Sequence, residues 1–535
     1  MKNRFLDCAS LRAAPLGMTA FSLFCSPLAA QAPVIDHIEL RRSSVFEVDE
    51  ATIWPFRLVN SLHITTRPWV VRRELLFGAG DPWDSALVAE SERNLRSLGV
   101  FRGVRIDSLR TDSGLVARVA THDGWSTRPD FRFKSTGGEL DYTLAMIEDN
   151  LLGTASQASL LYRHTPDRNT TTLSFRQRRL IGGRIGLAAR YDNRSDGERG
   201  MVSLGLPFHS MSARNSWTLT AERRDERVLI YRDGSATPVD STFRDYALAR
   251  LDVAHALRAS TNGYLRIGAA ALVRRDEYTD ASGNGTPYGT NAALGGWIEL
   301  RRARYLRVAG YNSLSIEEDL DLSNVARLGT WIAPAGPFGN HSTGVGPEVW
   351  LQTGARLPDG FLHVSGSANG LVGRGQLLDS GAARIGATAA WLPSPRHLAV
   401  AHFTAGALKR PVPGTEFDLG LGAGPRGFKQ HAFTGDRMWF LSTEYRYGLA
   451  PDFLRLVDVG IAAFADAGGA WFSGATPRSG WDAGIGLRLG ASRATDAEAN
   501  RIDLVYRSRI DDQPAGWVLV VAKGFAFGGD LRGDR

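Results

Sequence analysis

Ile502-Asp503-Leu504-Val505-Tyr506-Arg507 places Ile502, Leu504 and Tyr506 on one side of an extended chain and Asp503 and Arg507 on the other. Successive strand side chains point to opposite faces, so this hexapeptide predicts a strand with an apolar and a charged face. The same period runs upstream through Tyr142–Ile147, Ser159–Tyr162, Trp217–Glu222 and Tyr264–Ala269, and Gly182-Gly183, Asp196-Gly197 and Asp359-Gly360 supply turns between segments. Residues 124–527 form an array of 404 positions. Apolar-out, polar-in patterning over such a length predicts a closed all-β transmembrane barrel of about 16 antiparallel strands once loops are included. A count of the segments themselves runs nearer twenty, with hairpins around Asp319 to Asn340 as one source of the excess.

A soluble β-sandwich alternates too. The unbroken length of the array opposes it, as does the glycine content, 59 of 535 residues or about 11% against a usual ~7%. A third opposing feature is the aromatic close of the last predicted strand, Trp517 to Phe527, which carries Phe525 and Phe527. With 43% hydrophobic and 22% charged residues and a mean hydropathy of −0.18, the chain is too polar for a bundle of membrane helices.

The N-terminus reads as a secretory leader over residues 1–30: Lys2, Arg4 and Arg12 precede an apolar stretch from Ala13 to Ala30. Cleavage fits after Ala30 or after Ala32; Ala30 is favoured because Pro33 follows the later cut. Cys8 and Cys25, the two cysteines, both lie in this leader, so the mature chain has no disulfide framework or thiolate metal site. Removing three cations and Asp7 lowers the formal charge from +7 to +5. The basic residues are scattered rather than gathered on one face, which argues against nucleic-acid binding.

Residues 34–123 have another rhythm. A short strand begins at Ile35, Ile38 and Leu40, and a long connection passes Trp54 and Phe56. Thr66 is the predicted N-cap, with Pro68 in the first turn, of a helix over Trp69 to Phe77 that stops at Gly78. A second helix starts at Asp84 or Ser85, carries Leu87, Ser91, Leu95 and Leu98 at helical spacing, and stops at Gly99. Strands Val104–Leu109 and Leu115–Ala120 follow. This order, with the run Asn94-Leu95-Arg96-Ser97-Leu98-Gly99-Val100-Phe101, resembles a POTRA domain, the periplasmic module that precedes outer-membrane insertase and two-partner transporter barrels.

Further motifs carry a wider resemblance. Asn150-Leu151-Leu152-Gly153-Thr154 is similar to the turn near the start of BamA-like barrels. Gly422-x-Gly424-x-x-Gly427 has the spacing of a dinucleotide loop, but a strand rather than a helix follows it, so that reading fails on context. Arg426-Gly427-Phe428 instead resembles the tip of the inward-folded sixth extracellular loop of the BamA, TamA and two-partner transporter superfamily. Glu444-Tyr-Arg446, Phe464-Ala-Asp466-Ala-Gly468, Gly484-Ile-Gly486-Leu-Arg488 and Ile502-Asp503-Leu504 continue that superfamily's motifs in order. Alternation puts Glu444 on the face of Phe440 and Ser442, and Asp466 on the face of Ala462 and Phe464, opposite Ile461, Ala463 and Ala465. With the latter three toward lipid, both carboxylates face the lumen. Arg426 is then expected to pair bidentately with Asp466, Glu444 being the competing partner.

The resemblance implies an outer-membrane protein with its POTRA in the periplasm, surrounded by lipid and lipopolysaccharide. It would insert or translocate unfolded outer-membrane or secreted clients, the POTRA accepting client strands by edge pairing. The alternative is a passive porin with a POTRA-like tether. No cofactor, metal or enzymatic activity is expected: the eleven histidines lack metal spacing and no Gly-x-Ser-x-Gly elbow is present. Glu317-Glu318-Asp319-x-Asp321 reads as a solvated charge run rather than a cation site. Residues 528–535 are expected to be a short tail.

Overall fold

A computed structural model of the chain describes residues 33–527, apart from 47–53, 113, 137–138, 181–182, 233, 236, 281–284, 287–289, 336–342, 374–375, 378–380, 421–423 and 494–497. The expected leader and the tail 528–535 lie outside the described residues.

The N-terminal unit contains β1 (Ile35–Ser43), α1 (Trp54–Leu62), α2 (Pro68–Glu74), α3 (Ser85–Ser97), β2 (Phe101–Thr111) and β3 (Gly114–Asp123). Its sheet order is β1-β3-β2, with β1 parallel and β2 antiparallel to the central β3. Asp84 caps α3, its carboxylate accepting from the amides of Ala86 and Leu87, which satisfies two otherwise orphaned donors. Val71, Leu95, Val104 and Val119 share one core. Val88, not Leu87, completes the apolar face of α3, because the helix is rotated so that Glu90 and Asn94 are buried as well.

Two local expectations fail here. Thr66 does not cap α2: Arg67 holds that position without a side-chain bond, while the Thr66 hydroxyl and amide both donate to Asp123. The connection after β1 is not irregular throughout, since α1 folds within it.

Apart from two two-stranded pairs, Tyr305–Ala309 with Glu317–Asp321 and Phe417–Leu419 with Phe433–Gly435, the remaining strands form one closed antiparallel sheet, with the last stave, Gly516–Lys523, beside the first, β4 (Thr127–Thr136). β5 (Glu139–Glu148) and β6 (Gln157–His164) follow β4. Among the described residues the closed sheet has twenty staves of eight residues or more, against the figure of about 16 and close to the segment count. The physical reason is tight hairpins: at Gly197, φ +147° lets the chain reverse between staves Gly186–Arg194 and Gly197–Leu206 where a side chain would strike the Asp225 carbonyl, so fewer residues go to loops.

Stave Asn500–Arg507 alternates strictly between exposed and buried residues, with Ile502, Leu504 and Tyr506 outside and Arg501, Asp503 and Arg507 inside. The outer wall is thus apolar and the inner wall charged, the inverse of a soluble sheet. No described helix is long and apolar enough to cross a membrane, which says nothing of strands.

Two insertions fill the lumen. The segment 410–436, between staves His397–Lys409 and Arg437–Phe453, enters from the end opposite the N-terminal unit. From the near end, a hairpin of Tyr305–Ala309 and Glu317–Asp321 packs Tyr311, Leu320 and Leu322 on the inward side chains Phe361, Leu398 and Val400. Beyond exposed Glu317 the acidic run is therefore not solvated: Asp319 pairs with Arg96 at 2.6 Å, Asp321 pairs with Arg301, and Glu318 accepts from the amides of Asn312 and Ser313. The last stave ends at Lys523, short of the expected Phe527. Phe525 and Phe527 turn into the same cluster and stack at 4.6 Å, because apolar surface is available there against Tyr311 and the hairpin.

The polar face of α3 docks on the near mouth. Glu90 accepts from the Met211 amide, Arg96 holds Asp319, and Glu74 at the end of α2 takes a bidentate bond from Arg179 at 2.7 Å to each oxygen.

Candidate functional site: a buried arginine clamp in the lumen

Stave alternation aims a ring of carboxylates inward. Phe464 and Asp466 project from Val457–Trp471, Ser442, Glu444 and Arg446 from Arg437–Phe453, Asp482 and Arg488 from Ser479–Ala491, and Arg501 and Asp503 from Asn500–Arg507. Arg426 arrives from the long loop and is 1% exposed. Its Nε donates to Asp466 Oδ2 at 2.6 Å and its Nη2 to Oδ1 at 3.3 Å, while Nη1 reaches Glu444 at 3.1 Å and Asp503 at 3.2 Å. The planar fork also lies over the Phe464 ring, 3.7 Å from its centroid. Asp466 and Glu444 are thus both partners of Arg426, not competitors.

Most of the ring's charges find partners within it. Glu444 accepts from Arg446 at 2.6 Å and from Arg488 at 3.0 and 2.9 Å. Asp503 accepts from Arg488 and Arg501, and Asp466 from Ser442 at 2.7 Å. Four guanidinium groups (426, 446, 488, 501) meet three carboxylates (444, 466, 503), the mutual pairing that a desolvated cluster requires, while Asp482 faces the loop backbone.

The backbone around Arg426 is held as tightly. The Gly427 amide donates to Asp482 at 2.8 Å, and its carbonyl accepts from Arg507 at 3.2 Å. A Cβ at residue 427 would come within 3.0 Å of Val505 and 3.1 Å of Arg507, so glycine permits this approach. Phe428 is fully buried and packs edge-on to Phe433 at 5.1 Å in a cluster with Phe417, Leu419 and Ala432. The inward face of Ser479–Ala491 makes room: a Cβ at Gly480 would lie 2.6 Å from Phe428, and one at Gly484 would lie 2.7 Å from Phe464.

A second latch lies farther along the loop. His431 stacks on Tyr231 at 3.5 Å, with Nδ1 2.6 Å from Asp418 and Nε2 3.1 Å from Asp167; Tyr231 also donates to Asp167. Burial opposes the imidazolium, but the bonds to Asp167 and Asp418 outweigh it, and the His431 pKa is pushed up to about 9.

Sequence reasoning singled out Arg426, Gly427, Phe428, Glu444 and Asp466, and the structure brings all five together. It did not assign roles to Asp482, Arg488, Asp503 or His431. Alternation alone places Asp482, Arg488 and Asp503 on the inward face, and the alternate glycines 480, 484 and 486 signal that something packs there. His431 has no such signal, since its partners are Asp418 in its own loop and Asp167 and Tyr231 in two others. Among the described residues no cluster suited to a metal ion is present.

No family model matches the chain, and no curated protein is similar to it. In structure it is similar to BamA from Haemophilus ducreyi lacking POTRA domains 1–3, at 12% identity and a TM-score of 0.37 over 91% of this chain and 84% of that one. It is also similar to CdiB from Escherichia coli, at 11% identity and 0.46 over 92% and 77%, and to CdiB from Acinetobacter baumannii, at 12% and 0.41 over 91% and 73%.

Proposed function

We propose that the chain is a bacterial outer-membrane insertase or secretion transporter of the BamA, TamA and two-partner superfamily. Residues 34–123 act as its periplasmic POTRA domain, and the barrel moves client polypeptides into or across the membrane. The clamp is positional rather than catalytic, and the protein is not an enzyme. The observation that carries this reading is Arg426: a loop-borne guanidinium, 1% exposed, on three inward carboxylates. A pore built only for diffusion has no need to hold a loop across its lumen at the desolvation cost of so many charges.

The apolar outer wall supports membrane insertion, and the N-terminal sheet offers β2 as an edge strand, its Ile106 amide already held by Glu92, along which a client strand can add. Between loop and hairpin a cavity of about 660 Å³ remains, lined by Asp130, Asp141, Asp192, Arg163, Arg190 and Arg194 among others. Charges of both signs suit a polar chain in transit rather than one ion type.

A photoreactive amino acid at exposed Ser108 on β2, and another at Asp130 in the cavity, tests the reading in cells. Covalent adducts with unfolded envelope or secreted polypeptides are expected at both positions. A protein that captures no polypeptide at either, yet conducts ions in planar bilayers whether or not Arg426 is present, is the passive porin.

A further inference from the structure

α1 is short, yet its orientation is fixed. Asn60 takes the amide of Phe46 at 3.1 Å and donates to the Phe46 carbonyl at 2.8 Å, and Phe56 stacks on Phe46 at 4.3 Å. Val45 and Trp125 complete that small core. The clamp sets the opposite face of the helix outward, with Trp54 70% and Leu58 47% exposed one turn apart. A helix held rigidly so as to present tryptophan and leucine to water is unfavourable unless something apolar covers them.

Its position says what does. The Trp125 amide donates to the Arg493 carbonyl at 2.8 Å, and Arg493 lies over Phe46, so the small core spans the barrel rim from the turn after Ser479–Ala491 to the start of β4. That rim is where the last stave meets the first. On the other side Ile64, 49% exposed, lies against Gly153 in the turn between β5 and β6, and Arg67 donates to the Leu152 carbonyl at 2.9 Å. Leu152 is 60% exposed, and above it the paired Met146 and Leu160 belong to the apolar outer wall. Trp54, Leu58, Ile64 and Leu152 are therefore exposed apolar residues at the rim, on the side of the wall's apolar band. Arg57 and Arg67 are exposed beside them, the cations that phosphate headgroups favour, and tryptophan is the residue most at home at a membrane interface.

We propose that α1 and its flanking Ile64 form an interfacial lipid-binding surface that seats the N-terminal unit on the inner leaflet, beside the seam between the first and last staves. The inference rests on the reading of the barrel as a membrane protein and adds a second lipid contact outside it. Seating here fixes the orientation of the β2 edge relative to the seam.

Because the mature chain contains no cysteine, single-cysteine variants of the full chain test this directly in phosphatidylethanolamine and phosphatidylglycerol vesicles containing lipids with a shallow nitroxide. A bimane label is placed at Leu58→Cys or Ile64→Cys, with Leu144→Cys on the outer wall and Arg110→Cys on β2 as references. The expected result is at least threefold quenching by the nitroxide lipid at 58, 64 and 144, and little at 110. Quenching by aqueous iodide at 58 and 64, or shielding there from both quenchers as under a protein partner, overturns the inference if 144 is still quenched from lipid. If 144 is not lipid-quenched either, the membrane reading itself falls.

Discussion

Removing the Arg426 side chain does not affect its three partners equally. Glu444 keeps Arg446 and Arg488, and Asp503 keeps Arg488 and Arg501, whereas Asp466 is left with the Ser442 hydroxyl alone. The penalty of Arg426→Ala therefore concentrates on one buried, uncompensated carboxylate, about 3–5 kcal/mol for breaking such a pair. All of it bears on the docked state of the loop, since the carboxylates sit on the wall and the arginine on the loop. At about 1.4 kcal/mol per tenfold, the undocked population rises about a hundred- to a few-thousand-fold. Asp466→Ala is milder, because Arg426 retains Glu444, Asp503 and the Phe464 face; about 1.5–3 kcal/mol, the worth of a bond to a charged group, is expected. The assay is maleimide labelling of Ala432→Cys, a fully buried site of the docked loop, in a chain whose two native cysteines, Cys8 and Cys25, are replaced by serine. The double variant should label no faster than Arg426→Ala alone, because both changes act through one contact. A labelling rate in Arg426→Ala within threefold of the parent would refute the reasoning.

The His431 latch gives a pH dependence. Its folded pKa of about 9 lies above the ordinary 6.5, so its stabilisation is complete below about 6.5 and is lost as pH rises through 9; Ala432→Cys labelling, normalised to an exposed thiol, should accelerate there and lose that step in His431→Gln. Gly480→Ala sets a methyl 2.6 Å from the Phe428 ring and should loosen the loop by about 1–3 kcal/mol, read as faster labelling with unchanged barrel heat-resistance on gels. Arg96→Ala removes the bidentate bond to Asp319 and should raise hydrogen exchange in the hairpin Tyr305–Asp321 while the staves stay protected.

Much of the barrel was legible because alternation is a local property. Ile502 to Arg507 declares its two faces in six residues, and the same parity assigns Glu444 and Asp466 to one wall. The loop tip was legible through its motif, yet the sharing of Arg426 among three carboxylates was not, since parity gives a face and no distance. The lumen hairpin escaped notice for a related reason. Tyr305–Ala309 and Glu317–Asp321 are short strands whose charged residues find partners on distant elements, Arg96 on α3 and Arg301 on the wall, and a run such as Glu317 to Asp321 looks solvated until those partners are in place. α1 was missed because nothing marks its ends. It has Pro55 early in its first turn but no acidic first turn or basic last turn, and it is held by Asn60 rather than by its own periodicity.

The proposed role of the clamped loop is in polypeptide transport. Cells depleted of the protein are supplied with the parent chain or with Arg426→Ala at equal outer-membrane abundance, and the outer-membrane and secreted proteomes are quantified. The account predicts that the parent restores a specific set of proteins while Arg426→Ala leaves them several-fold depleted. Equal proteomes with both chains, or no protein lost on depletion, would contradict it.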